Sequence, residues 1–354
     1  MLRTAGPEAR RRHDEDITIR RQALQTIADI VRNNWLADTS RDTAYSAIKQ
    51  WQRFCAVYSI DPCPAEGVLD RDLALYSVHL AATRLVKYKT IKNYISMGVR
   101  VLCLATDCPW TDINKRPVVW QTLRGLRRLL GDEPQQKLGI SLDMLCLMRK
   151  NMNLTSSEDA TLWAAFLVGF YGMFRKGNLT AKRSTDFNPR EDLRRMDLLI
   201  EKRRVVVRIR HSKVIQFGET VLYVQLPFIA NNPDLCPVQA LAHMMRLAPG
   251  KPEDPLFKQG LTSKPLTHAR FVGRLKELIR SIGIDERQYA GHSFRRGGAS
   301  WAHSIGISDA LIKLQGDWHS DAYLLYIHIT DEAKQRAIDK MVLAADAITL
   351  GWRS

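Results

Sequence analysis

The sequence predicts a mainly α protein of two domains, with a small antiparallel β-sheet in the second. Three observations predict it. The chain has 354 residues, more than one typical helical domain holds and enough for two. Apolar residues recur at helical spacing through most of its length. The period changes once, in "DLLIEKRRVVVRIRHSKVIQFGETVLYVQLPF" (197–228), where β-branched runs, partial alternation and a "QFGE" turn predict two or three antiparallel strands.

Taken in order, residues 1–39 are a charged tail and one helix, from Ile17 to Leu36, with Leu24, Ile27, Ile30, Val31 and Trp35 on one face. A helix over 43–59 carries Tyr45, Ile48, Trp51, Cys55 and Tyr58 at helical spacing, with Ser40 and Asp42 as candidate N-caps. The prolines and glycine of "IDPCPAEG" make a turn, and "DRDLALYSVHLAATRL", "KTIKNYISMGVRVLCLAT" and "RPVVWQTLRGLRRLLG" are each helical. Residues 40–130 are therefore expected to form a compact helical bundle, with the polar break "GDEPQQKLGI" (131–140) as linker.

The second domain, 141–330, opens with helices over 142–151 and 157–173; the second is strongly apolar and starts at Ser156 or Ser157. After the strands, "CPVQALAHMMRLA" and "THARFVGRLKELIRSIG" return to helix. In the tail, 331–354, Ile338, Met341, Val342, Ala345 and Ile348 form one apolar stripe, which suits folding back on the chain's own core or docking on a neighbouring copy.

The composition is ordinary in its 45% hydrophobic and 25% charged residues, but the net charge is +16. Such an excess predicts a polyanionic partner, nucleic acid before an acidic membrane surface. Two basic stretches in the bundle, "LVKYKTIKNY" with Lys87, Lys89 and Lys92, and "RGLRRLL" with Arg124, Arg127 and Arg128, are candidate DNA contacts. There they would grip phosphates, which gives affinity rather than sequence choice; a solvated helix face with buried Tyr88 and Tyr94 is the structural alternative. The six cysteines make no C-x-x-C pair and are expected as reduced core residues. The N-terminus lacks a signal-peptide apolar run, and no stretch is long and apolar enough to span a membrane. Expected localisation is the nucleus in a eukaryote, with Arg10, Arg11 and Arg12 as a possible address, and otherwise the cytoplasm; secretion is not expected.

Chemistry concentrates in "GHSFRRGGASWAHSIGISDALIKLQGDWHSDAYLLYIHIT" (291–330). Its histidines have no zinc-ligand spacing, and Asp309, Asp317 and Asp321 are too dispersed for a two-metal nuclease. No P-loop is present. Neither metal nor any other cofactor is expected. Covalent catalysis on a phosphodiester needs instead a nucleophile, cations for the growing charge and an acid for the leaving oxygen. Tyrosine can be that nucleophile, arginine's planar fork suits two phosphate oxygens, histidine exchanges protons near neutrality and lysine can protonate a leaving oxygen. Arg175, Lys213, the i, i+3 pair His292 and Arg295, Trp318 with its indole donor, and Tyr326 supply every part.

In that order, and with "GHSFRRGGASWAHSIGISDALIKLQGDWHSDAYLLYI", the chain resembles the tyrosine recombinase family of phage integrases and Cre-like and Xer-like enzymes. "SKVIQFGE" and "CPVQAL" look closest to the DIRS-like and Crypton-like recombinases of eukaryotic mobile elements. The resemblance covers nearly the whole chain. It implies a helical core-binding domain and an α+β catalytic domain, acting as a tetramer on two DNA duplexes, a dimer at each site. It implies that Arg175 and Arg295 bind the scissile phosphate, Lys213 is the general acid for the 5′ hydroxyl, His292 assists proton transfer, Trp318 hydrogen-bonds a phosphate oxygen and Tyr326 forms a 3′-phosphotyrosine. Two departures stand out. Asn178 occupies the place, three after the first arginine, where the family usually has an acid. The step from Trp318 to Tyr326 is eight residues rather than nine. Tyr323 is accordingly the second candidate nucleophile and His319 the second candidate for the place of Trp318. A DNA-binding relative without activity and a type IB topoisomerase are the alternative functions.

Overall fold

The computed structural model describes residues 22, 25, 36, 38–64, 66–84, 86–105, 112–132, 136–212, 215, 220–318, 320–325, 338–339 and 341–342. The helix expected over 17–36 lies, but for Gln22, Gln25 and Leu36, outside these residues, and so do Ala345 and Ile348 of the C-terminal stripe. The chain divides into two units, Met1–Gln135 and Gln136–Ser354.

The first unit holds four described helices: α1 (Asp38–Tyr58), α2 (Glu66–Arg84), α3 (Tyr88–Ala105) and α4 (Pro117–Leu130). Trp51, Phe54, Cys55, Leu73, Tyr76, Ile91, Ile95, Val119 and Leu123 close its core. Two sequence expectations shift here. Helix α1 begins at Asp38, so Ser40 and Asp42 lie within its opening turns instead of capping it. Its buried face is Ala44, Ala47, Trp51, Phe54 and Cys55, while Tyr45 and Tyr58 are exposed: the 3.6-residue period rotates Tyr45 off the stripe through Trp51, and Tyr58, on that stripe, is the last residue of the helix. Pro117 opens α4, where its missing N–H costs nothing.

The second unit is built around α6 (Ser157–Tyr171), every residue of which from Ala160 to Tyr171 is buried. Each large side chain so buried stabilises the fold by about 1.5–3 kcal/mol relative to exposure. Ser156 caps it, its hydroxyl accepting from the Glu158 amide at 3.3 Å. Around it stand α5 (Leu142–Lys150), the one-turn α7 (Lys176–Leu179), α8 (Pro237–Leu247), α9 (His268–Ser281), α10 (Ser293–Ser304) and α11 (Asp309–Gln315). The sheet is antiparallel in the order β1 (Leu198–Ile200), β2 (Arg204–Ile209) and β3 (Leu222–Pro227), with Val207 opposite both Leu198 and Val224. The mainly α chain with one small antiparallel sheet is thus the fold the sequence predicts.

Residues 137–140, read above as linker, belong to the second unit. The Leu138 amide donates to Gln288 and the Ile140 amide to the Ser293 carbonyl at 3.0 Å. Of the cysteines described with their side chains, Cys55 and Cys236 are buried as expected, whereas Cys63 and Cys146 are exposed. Cys63 sits in the proline turn, and Cys146 is on the outer face of α5.

Candidate functional site

The end of α6 turns sharply into α7, and that turn sets the first arginine. Met173 has φ of 50°, in the left-handed region that non-glycine residues avoid, and Arg175 follows in extended conformation as the N-cap of α7. Asn178 lies on α7, its amide donating to the Arg175 carbonyl at 2.9 Å.

Helix α10 brings the second arginine. The two adjacent arginines of "SFRRGG" part company: Arg295 is 1% exposed, while Arg296 turns outward and donates to the Lys137 carbonyl at 2.7 Å. The Nη1 of Arg295 donates to the Met173 carbonyl, and its guanidinium carbon lies 3.6 Å from the centroid of the Trp318 ring. Gly297 and Gly298 allow this depth, since a Cβ on either would strike the Ile140 or the Phe170 carbonyl. His292 is the exposed residue at the N-cap, one turn from Arg295.

Helix α11 and its exit bring the third group. The Gln315 side-chain amide donates to the Tyr171 carbonyl at 3.1 Å and the Gln225 carbonyl at 2.7 Å, tying α11 to the end of α6 and to β3. Asp317 follows with φ of 55°, and its carboxylate stands 3.5 Å from Nη1 of Arg175. The Ser212 hydroxyl donates to the same carboxylate oxygen at 2.8 Å. Arg175, Asn178, Ser212, Arg295 and Asp317 line one small cavity.

Residues far apart in sequence therefore meet: Arg175, Asn178 and Arg295 around the cavity, with Trp318 beneath Arg295. Lys213, His319 and Tyr326 lie outside the described residues; by chain position Lys213 follows Ser212 in the β2–β3 connection. Tyr323 is buried against Met173, Ile312 and Trp318. Burial and a hydrogen bond to Asp309 hold its phenol above the usual tyrosine range, and Lys313 lies over its ring. Asp317 and Ser212 were missed as site residues. The first is an ion pair across 142 positions, which no local pattern marks; an excess of cations needing a counter-charge is the one signal in the sequence.

In the first unit, Lys87, Lys89, Lys92, Arg124, Arg127 and Arg128 are all exposed. Lys92, Arg124, Arg127 and Arg128 line one surface groove with Tyr88 and Trp120. The Arg124 guanidinium stacks over Trp120 at 5.0 Å, and Arg127 pairs with Asp132 at 3.0 Å. Lys87 and Lys89 lie outside the groove lining. Tyr88 is buried and Tyr94 half-buried.

No family model matches the chain. An integrase/recombinase XerD homolog of Selenomonas ruminantium is 25% identical over 234 residues, covering 64% of this chain and 64% of that protein, so the chain spans just under two thirds of this curated relative. Among solved structures, the Tn1549 transposon integrase in complex with circular intermediate DNA aligns with a TM-score of 0.57 at 14% identity, over 89% of this chain and 98% of that one. The XerH site-specific recombinase bound to palindromic difH substrate aligns with a TM-score of 0.52 at 15% identity, over 76% and 71%. The chain is similar in sequence to a XerD-type integrase/recombinase and in fold to site-specific recombinase and integrase structures. These alignments show that the chain shares the fold of the two structures.

Proposed function

We propose that the protein is a site-specific DNA recombinase that cuts and rejoins DNA through a 3′-phosphotyrosine. The observation that carries this reading is the cavity in which Arg175 and Arg295, from α7 and α10, converge beside Ser212 and Trp318. Two fixed guanidiniums in a partly dry site are suited to the charge that grows on a phosphodiester under attack. The phenol oxygen of Tyr326 attacks phosphorus, forming an O–P bond as the P–O5′ bond breaks. The phenolic proton leaves through His292, and Lys213 protonates the departing 5′ oxygen. A 5′ hydroxyl from partner DNA reverses these steps, so bond energy is conserved and no nucleotide cofactor is consumed. The burial of Tyr323 and its hydrogen bond to Asp309 favour Tyr326 as nucleophile.

On this reading 141–330 carries the chemistry, and the basic groove of 40–130 grips duplex DNA. Two protomers occupy each site, and four join two duplexes through the apolar stripe of the tail, where Ile338, Met341 and Val342 are exposed. "SKVIQFGE" and "CPVQAL" support a place beside the DIRS-like and Crypton-like recombinases. The test is a nicked suicide duplex carrying the site, chosen from a random pool. A covalent adduct is expected from the wild type and from Tyr323→Phe, and none from Tyr326→Phe. An adduct with Tyr326→Phe, or none with the wild type, overturns the reading.

A further inference from the structure

Two distant segments of the second unit, the turn that carries Arg175 and the β2–β3 connection at Ser212, meet at Asp317. Its Oδ2 is 3.5 Å from Nη1 of Arg175, and its backbone carbonyl is 3.5 Å from Nη2, so the guanidinium is held on two sides. The same Oδ2 accepts from the Ser212 hydroxyl at 2.8 Å. Ser212 is itself 4% exposed. Its hydroxyl also accepts from the Ile215 amide at 3.2 Å, and its own amide donates to the Ile215 carbonyl at 3.0 Å. The carboxylate therefore fastens the start of the β2–β3 connection to Arg175. One residue further on, Trp318 lies under Arg295.

Charge makes this carboxylate matter. Arg175 and Arg295 line one cavity, and like charges in a partly buried space repel unless something offsets them. Asn178, on α7 and in the lining of the same cavity, carries no charge. The side chain of Asp317 is 11% exposed and that of Arg175 is 19% exposed, so water screens the pair only in part. The φ of 55° at Asp317 fits the same picture. Left-handed backbone away from glycine persists where the surrounding structure fixes it, and aspartate tolerates it better than most residues.

We propose that Asp317 is a positioning residue, whose carboxylate holds the Arg175 guanidinium against the Ser212 end of the β2–β3 connection and supplies the negative charge that Asn178 lacks. The proposal rests on the recombinase reading above. Asp317 does not touch phosphate, because a carboxylate against a phosphodiester would oppose binding. It acts through Arg175.

The experiment uses the full chain and two readouts. In single-turnover cleavage of the suicide duplex, Asp317→Asn is expected to slow adduct formation by about 10- to 100-fold, the scale of a misplaced catalytic group. DNA affinity should change by less than about 2-fold, since most of it comes from phosphates elsewhere. Adding Asn178→Asp to Asp317→Asn returns a carboxylate to the cavity from α7, and it should recover at least about tenfold of the lost rate. A purely structural role for Asp317 would give no such rescue. Unaltered or faster cleavage by Asp317→Asn overturns the proposal, and in the faster case the carboxylate is a rival occupant of the phosphate's seat. Slowed cleavage without rescue also overturns it. The second readout needs no DNA: separate Nη proton signals of Arg175 by nuclear magnetic resonance, assigned by their loss in Arg175→Lys. They should be resolved in the wild type and merged in Asp317→Asn, and identical spectra overturn the proposal. Absence of any adduct from the wild type would sink the recombinase reading alone, leaving these signals to decide the role of Asp317.

Discussion

Arg295 lies over Trp318, with 3.6 Å between its guanidinium carbon and the centroid of the ring, while its Nη1 holds the Met173 carbonyl. The tryptophan is thus a floor for the arginine, besides the indole donor role proposed for it. Substitution tests the floor. Trp318→Ala removes a buried ring and should cost about 3–5 kcal/mol of stability, lowering the urea midpoint sharply. Trp318→Phe keeps a smaller aromatic face and lacks the N–H. It should lose less than half as much stability. Equal urea midpoints for the two variants would refute the stacking role.

The two glycines after Arg296 set how deep α10 sits. A Cβ at Gly297 would strike the Ile140 carbonyl and one at Gly298 the Phe170 carbonyl, both backbone atoms of buried segments. Alanine at either position should cost about 3 kcal/mol or more, the upper range for overpacking. Gly273 on α9 has nothing within 4 Å of its would-be Cβ, so Gly273→Ala should leave stability unchanged or raise it by up to about 1 kcal/mol. Thermal melts of the three variants check the contrast.

The sequence made the elements legible because each has its own period, and residue type and order singled out Arg175, Arg295 and Trp318, which the fold brings together. The α1 face was misjudged since Tyr45 and Tyr58 are apolar enough to pass for core, yet both are exposed. The fate of 137–140 depended on hydrogen bonds to Gln288 and Ser293, some 150 positions away. The ion pair of Arg175 with Asp317 spans 142 positions. Neither contact leaves a local signature, for both exist only once α10 and α11 have packed on α6.

The groove lined by Lys92, Arg124, Arg127 and Arg128 makes a quantitative statement about binding. Each phosphate neutralised on duplex DNA contributes about 0.9 to the slope of log affinity against log salt. Lys92→Ala and Arg124→Ala should each weaken binding on every sequence alike and lower that slope by about 1. Arg127 already pairs with Asp132 at 3.0 Å, so Arg127→Ala should lower it less. Fluorescence anisotropy titrations across a salt series measure the slopes, and unchanged slopes in Lys92→Ala and Arg124→Ala would place the DNA elsewhere.

His268 gives the second unit a pH dependence close to the site. It opens α9, and its Nδ1 lies 2.5 Å from the Thr180 hydroxyl. That hydroxyl donates to the Lys176 carbonyl at 2.8 Å, so the imidazole is the donor and carries its proton on Nδ1. Burial, then Lys176 and Lys182, lower its pKa from 6.5 to about 4. The N-terminus of α9 disfavours a positive charge there as well. The folded protein thus keeps His268 neutral, while the unfolded chain binds a proton below about 6.5. The stability that His268 contributes is whole above that value and is lost as pH falls from about 6.5 to about 4. Because Thr180 and Lys176 flank α7, the loss should loosen the turn that carries Arg175. Urea midpoints at pH 7.5, 5.5 and 4 should fall more steeply for the wild type than for His268→Gln, which cannot titrate. Parallel decline of the two proteins would assign the acid sensitivity to other groups.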